Sequence, residues 1–235
     1  VSGSWSAPLR WCGVLGICGL CGLSAQAASD FTQATWFPKG FKLVETLRGD
    51  LNKDGQPDIV LLVQGTDPAA VVQNRFGERV DRNRRGLVIA LRQGDGYTLA
   101  LKNLTCFASE NEDGGVYVPP ELNLELAKGS LLINFLHGRY GYWSYNFRYR
   151  QGSFELIGYD SSQNHGPVVE RVTSINLLTN KVLTRVNTNP EAEGGDERYK
   201  ETWSKVQRPK VITLSGISGF EDFSLRSELG LTESP

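Results

Sequence analysis

A chain of 235 residues with 40% hydrophobic and 22% charged side chains has enough apolar material for a sizeable core, which excludes a disordered or fibrous protein. Its 25 Lys and Arg stand against 26 Asp and Glu, a net charge of −1, so broad electrostatic capture of nucleic acid or of an acidic membrane surface is excluded as well.

Residues 1–27 read as a secretory signal peptide. Arg10 supplies the positive charge, Trp11 to Leu23 is a short apolar stretch, and Ala25-Gln-Ala27 is an A-x-A cleavage site. The stretch is too short and glycine-rich for a transmembrane helix, and an uncleaved N-terminal anchor is the competing reading. Cleavage removes 27 of the 235 residues and leaves 208, with Arg10 gone and a net charge of −2. Those 208 are expected to form one β-rich domain, 28–235, periplasmic or secreted, with no membrane span. Of the four cysteines only Cys106 remains, so the mature chain has no internal disulfide. A single thiol of this kind is expected to be a small buried hydrophobe.

Phe41 to Leu47 alternates like a strand and leads into Gly49-Asp-Leu-Asn-Lys-Asp-Gly-Gln-Pro-Asp58. Calcium takes six to eight oxygens at about 2.3–2.6 Å. Oxygen side chains at alternate loop positions converge on one point, and Asp50, Asn52 and Asp54 occupy positions 1, 3 and 5. Gly55 at position 6 permits the sharp turn, Gln56 at position 7 offers its carbonyl, and Asp58 at position 9 a further carboxylate. Position 12 is Leu61 and the flanks are strand-like, so this is not an EF-hand. The expectation is a Ca2+ loop inside a β-hairpin at 41–63. A plain Asx-rich turn is the alternative.

The D-x-N-x-D-G-x-x-D pattern resembles the calcium loops of FG-GAP and VCBS-type repeats, found in integrin-like β-propeller blades. There the loop joins two strands of one blade. The resemblance covers about Leu47 to Lys102, one repeat, and no second copy of the loop occurs. It implies Asp50, Asn52, Asp54 and Asp58 as side-chain ligands and Gln56 as a carbonyl ligand. The mature chain also resembles an uncharacterised group of exported bacterial proteins through Asp81-Arg-Asn-Arg-Arg-Gly86, Ser109-Glu-Asn-Glu-Asp-Gly-Gly115 and His137-Gly-Arg-Tyr-Gly-Tyr-Trp143. That likeness implies export and a β fold.

Further along, Asp58 to Val63 and Leu87 to Leu91 are apolar on both faces, as central strands are. Alternating runs then flank turns at Gln93–Gly96, Lys128-Gly129, Gln151-Gly152 and Asn180-Lys181. Hairpins in series predict an all-β fold of antiparallel sheets: a β-sandwich, or an open, partly propeller-like stack of hairpins. Polar connections are expected at 65–85, 109–120, 160–167 and 187–197. The tail from Phe220 to Leu231 holds a short C-terminal helix.

The aromatic run His137 to Tyr149 carries the next signal. Alternation places Trp143, Tyr145, Phe147 and Tyr149 on one face, as core. It leaves His137, Arg139, Tyr140 and Tyr142 at a strand end as a binding platform for a glycan or a protein partner. Arg82 and Arg84, beside Arg85, form a second candidate, able to grip a carboxylate or phosphate. No nucleophile elbow, zinc helix, Walker loop or dinucleotide fingerprint occurs. The expected function is therefore an exported, calcium-stabilised, non-enzymatic binding module. The alternative is an extracytoplasmic hydrolase of glycan or peptide, with its site in the polar loops around His137 and His165.

Overall fold

The computed structural model describes residues 34–112, 119–207 and 210–231. The expected signal peptide lies outside the described residues. The chain is all-β, with antiparallel pairing throughout and one short helix. Its strands are β1 (Phe41–Gly49), β2 (Asp58–Gly65), β3 (Val71–Gln73), β4 (Arg79–Asp81), β5 (Arg85–Gln93), β6 (Gly96–Phe107) and β7 (Glu121–Ala127). They continue as β8 (Ser130–Leu136), β9 (Gly141–Arg150), β10 (Ser153–His165), β11 (Val168–Asn176), β12 (Lys181–Asn187) and β13 (Tyr199–Lys205). The helix, α1, is Leu225–Glu228.

Two sheets make a sandwich. The smaller has the order β1-β2-β5-β6, with β3-β4 as a separate hairpin between β2 and β5. The larger is a seven-stranded meander, β7 to β13 in sequence order. Central strands β2 and β5 are apolar on both faces because both faces are covered. Val60, Leu62, Leu87 and Ile89 join the main core with Leu131, Ile133, Phe147 and Leu156 of the larger sheet. Ile59, Leu61, Val63, Val88 and Ala90 form a second cluster with Trp36, Phe37, Phe41 and Leu43. Tight turns join the meander. Lys128 with Gly129 and Gln151 with Gly152 adopt positive φ, the geometry two-residue hairpins require, and Asn180 does so at the end of the four-residue turn 177–180.

Three stretches differ from expectation, while the polar connection expected at 187–197 is found between β12 and β13. The stretch 160–167 is strand for most of its length, since β10 runs on to His165. Its polar residues keep the ladder to β9 and β11 while lining a cleft instead of a core. The polar run 187–197 is followed by β13, whose seven residues are all exposed. It has no apolar face for periodicity to detect.

The C-terminal tail is the third. Only four of its residues are helical, and the rest form a strap through the core. Leu156 N–H donates to Ile212 O at 2.8 Å, and Asn103 Nδ2 donates to Leu214 O and Ile217 O at 2.9 and 2.7 Å. Phe220 then stacks on Phe107 at 5.3 Å and tilts against Tyr145 at 5.0 Å. Among the described residues no helix is long and apolar enough to cross a membrane.

Candidate functional site

The β1–β2 loop is built from Asx side chains that satisfy its own backbone. Asp50 Oδ1 accepts from the N–H of Lys53 at 2.6 Å and of Asp54 at 3.1 Å, and Oδ2 accepts from Gly55 at 3.0 Å. Asn52 Oδ1 accepts from the same Asp54 N–H at 3.0 Å, and its Nδ2 donates to Asp54 Oδ2 at 2.9 Å. Asp54 Oδ1 accepts from Gln56 N–H at 2.8 Å. Lys53 and Gly55 hold φ of 66° and 84°, so the chain curls twice within three residues. Asp50, Asn52, Asp54 and Gln56 are thus brought together on the solvent side.

Asp58 stands apart from them. It is 0% exposed, and its Oδ2 accepts from Leu51 N–H at 2.7 Å and Asn52 N–H at 3.3 Å. Its Oδ1 accepts from Arg92 N–H at 2.9 Å. The carboxylate seats the loop on β5. Two carboxylates, one amide oxygen and one carbonyl are hard donors of the kind calcium prefers, so the exposed part of the loop fits that ion. Among the described residues no group of three or more His, Cys, Asp or Glu is placed to hold a metal.

The platform residues fall around a short helical turn, Gly138–Tyr140, between β8 and β9. His137 lies 5.1 Å from the Tyr140 ring and edge-on to Trp143 at 6.3 Å, and the Arg139 guanidinium sits 5.7 Å from the Tyr140 ring. Tyr140 is 41% exposed. Tyr142 is 39% exposed and pairs with Leu136 on the outer face of the sheet. His137, Arg139 and Tyr140 therefore cluster, with Tyr142 beside them. The alternation reading holds for the other face: Tyr145 and Phe147 are buried, and Trp143 and Tyr149 pack against the core.

The arginines do not converge. Arg84 Nε donates to Thr105 O at 2.8 Å and its Nη2 pairs with Glu221, tying β6 to the C-terminal strap. Arg85 is buried against Glu110 and donates to Ala108 O at 3.0 Å. Burial lowers its guanidinium pKa and Glu110 opposes that. Arg84 is thus part of the frame around the β4–β5 connection, and the Arg82 backbone N–H donates to Ala70 O at 2.9 Å.

Sequence reasoning missed a cleft. Tyr159, Ser161 and Gln163 of β10 alternate onto the face that carries Trp143 and Tyr145, since Ser161 pairs with Trp143 and Tyr159 with Tyr145. That face is core near Phe147 and becomes open and polar toward His165. There it forms a cleft of about 690 Å³, also lined by Glu170, Arg171 and Thr173 of β11, by Asn187, Asn189 and Pro190, and by Arg226 of α1. Burial raises the Tyr159 phenol pKa, and the Ser161 hydroxyl and then Arg226 pull it partly back. The wall is rigidly tied. Glu197 accepts from Val169 and Gly195 N–H at 2.9 Å each, and Asn187 and Asn189 brace the loop from within. The signal available beforehand was the period-2 spacing of Ser161, Gln163 and His165.

His137 and His165 end up at the same end of the larger sheet, because β8 and β10 both finish there. The calcium-type loop lies at the opposite end, where Lys53 and the Asp50 carbonyl crowd Gly129 in the β7–β8 turn. Comparison with family models, with curated proteins and with solved structures returned no match to this chain.

Proposed function

We propose that this protein is an exported, calcium-stabilised binding module. The observation that carries the reading is the convergence of Asp50 Oδ1 and Asn52 Oδ1 on one backbone amide, at 3.1 and 3.0 Å from Asp54 N. Asp54 Oδ1, which accepts from Gln56 N–H at 2.8 Å, belongs to the same turn, and these side chains with the Gln56 carbonyl are the proposed focus. Asp58 holds the focus in place from below, seating the loop on β5. A four-stranded antiparallel sheet with this loop between its first two strands also suits the FG-GAP resemblance. Calcium would be held by Asp50, Asn52, Asp54 and Gln56, and what it supplies is cohesion of the β1–β2 hairpin.

Binding is favoured over hydrolysis by the cleft's composition. Glu170 is the only carboxylate among its lining residues, whereas glycoside hydrolysis ordinarily uses a pair. Extracytoplasmic calcium modules bind at about 10⁻⁴–10⁻³ M. At about 1 mM free calcium that gives about 0.4–1.4 kcal/mol of stabilisation. Isothermal titration of chelator-stripped protein should show calcium heat, and the melting temperature should rise with millimolar calcium. No heat and an indifferent melting temperature would leave residues 50–58 as an ordinary turn.

A further inference from the structure

We propose that the cleft between β10, β11 and the 188–198 loop binds an acidic oligosaccharide through Arg171 and the polar row Ser161, Gln163 and Thr173. The inference deepens the binding-module reading by naming a ligand class. It does not depend on calcium, since the loop at 50–58 lies at the other end of the sheet.

Three observations support it. First, the lining is dominated by hydroxyl, amide and charged groups, with Val168, Val186 and Ala192 as small apolar patches. That chemistry matches the dense hydroxyls of a sugar chain and offers no deep apolar pocket for a peptide side chain. Second, the lining residues carry two arginines, Arg171 and Arg226, against one carboxylate, Glu170, and the acidic side chains of the wall loop are not among them. Among the described residues the Arg171 guanidinium makes no ion pair and the Gln163 amide no hydrogen bond, so both have donors to give. A guanidinium fork matches the two oxygens of a sugar carboxylate. Third, the walls are preformed, as the Glu197 and Asn187 hydrogen bonds show, so little ordering is needed on binding. A cleft of about 690 Å³ has room for two to three sugar rings.

The probes are a hyaluronan tetrasaccharide, which carries a carboxylate on alternate sugars, and chitotetraose, a neutral chain of the same length. Titration calorimetry is run on the whole protein in chelator, with Arg171→Gln, Gln163→Ala and Trp203→Ala alongside. The acidic tetrasaccharide should bind at least about tenfold more tightly than the neutral one. Arg171→Gln should weaken it by about tenfold or more, the scale of one charge-assisted hydrogen bond. Trp203→Ala, exposed on β13 and outside the cleft lining, should leave it unchanged. Amide shifts in wild-type protein should map to β10 and β11, which keeps the test valid if a variant fails to fold. No binding, equal binding of the two sugars, or shifts centred on residues 137–142 would each overturn the proposal. Binding that persists in chelator while calcium gives no heat would defeat the calcium reading alone.

Discussion

The backbone N–H of Arg92 donates to Asp58 Oδ1 at 2.9 Å, across the sheet from the loop whose Leu51 N–H engages the other oxygen at 2.7 Å. One buried carboxylate thus joins the β1–β2 loop to β5. Asp58→Ala would strand three backbone donors. It should cost roughly 3–5 kcal/mol, with or without calcium, because unsatisfied buried partners of a charged group are expensive. Asp54→Ala, on the solvent side, should cost about 1 kcal/mol or less in chelator and abolish any calcium-dependent gain. Urea titrations of both variants separate the two roles. A mild Asp58→Ala variant would show that the carboxylate is not what holds the loop.

Phe220 is the hub of the aromatic core, in ring contact with Phe107, Phe135, Tyr145, Phe147 and Phe223. Phe220→Ala should destabilise by about 3–5 kcal/mol. Trp203, 63% exposed on β13, should tolerate Ala within about 0.5 kcal/mol. Equal midpoints for the two variants in urea would mean that the strap is not part of the cooperative core.

Two glycines at one end of the larger sheet should respond differently. A Cβ on Gly141 would lie 1.9 Å from Ser162 O, and its φ is 107°. Gly141→Ala must therefore push β9 off β10 and should cost more than about 3 kcal/mol or yield no soluble protein. Gly166, with φ 62° and open space around it, should lose only about 1 kcal/mol as Ala. Thermal melts of the pair test the register of the hairpin beside His137.

The alkaline limb of stability should be governed by buried acids. Burial pushes the Cys106 thiol up to about 12 from an ordinary 9.0, and it raises the Tyr145 and Tyr159 phenols as well. The folded chain then holds these protons more tightly than the unfolded chain. Their contribution is complete below pH 9 and is lost as pH rises from 9 toward 12. The urea midpoint should fall steadily above about pH 9, and Cys106→Ala should flatten the first part of the fall. A midpoint that stays level to about pH 11 would contradict the burial of these groups. In native protein at neutral pH, Cys106 should be inert to thiol reagents.

Much of the fold was legible because most strands here report their burial through spacing. Asp58 to Val63 reads as covered on both faces and is buried at all six positions. Tyr145 and Phe147 alternate inward as their spacing requires. The loop at 50–58 was equally plain, because its chemistry is local. What the sequence concealed is what depends on distant partners. Ile212, Leu214 and Ile217 show no clear period because they follow an irregular strap, not a regular element. The polar end of β10 resembles a loop because its inward face meets a cleft. The inward turn of Asp58 depends on Arg92, thirty-four residues away, and no spacing rule contains that fact.

The strap also sets the order in which the molecule can be completed. Asn103 waits for carbonyls 111 and 114 residues later in the chain, and Phe107 waits for Phe220. A ribosome delivers those partners only after the whole meander. Until they arrive, the meander can pair its hairpins locally, but the aromatic interior between the sheets stays unsealed. The sandwich is closed by the strap from Ile212 onward, and any chain cut short of Phe220 is a sandwich with its seam still open.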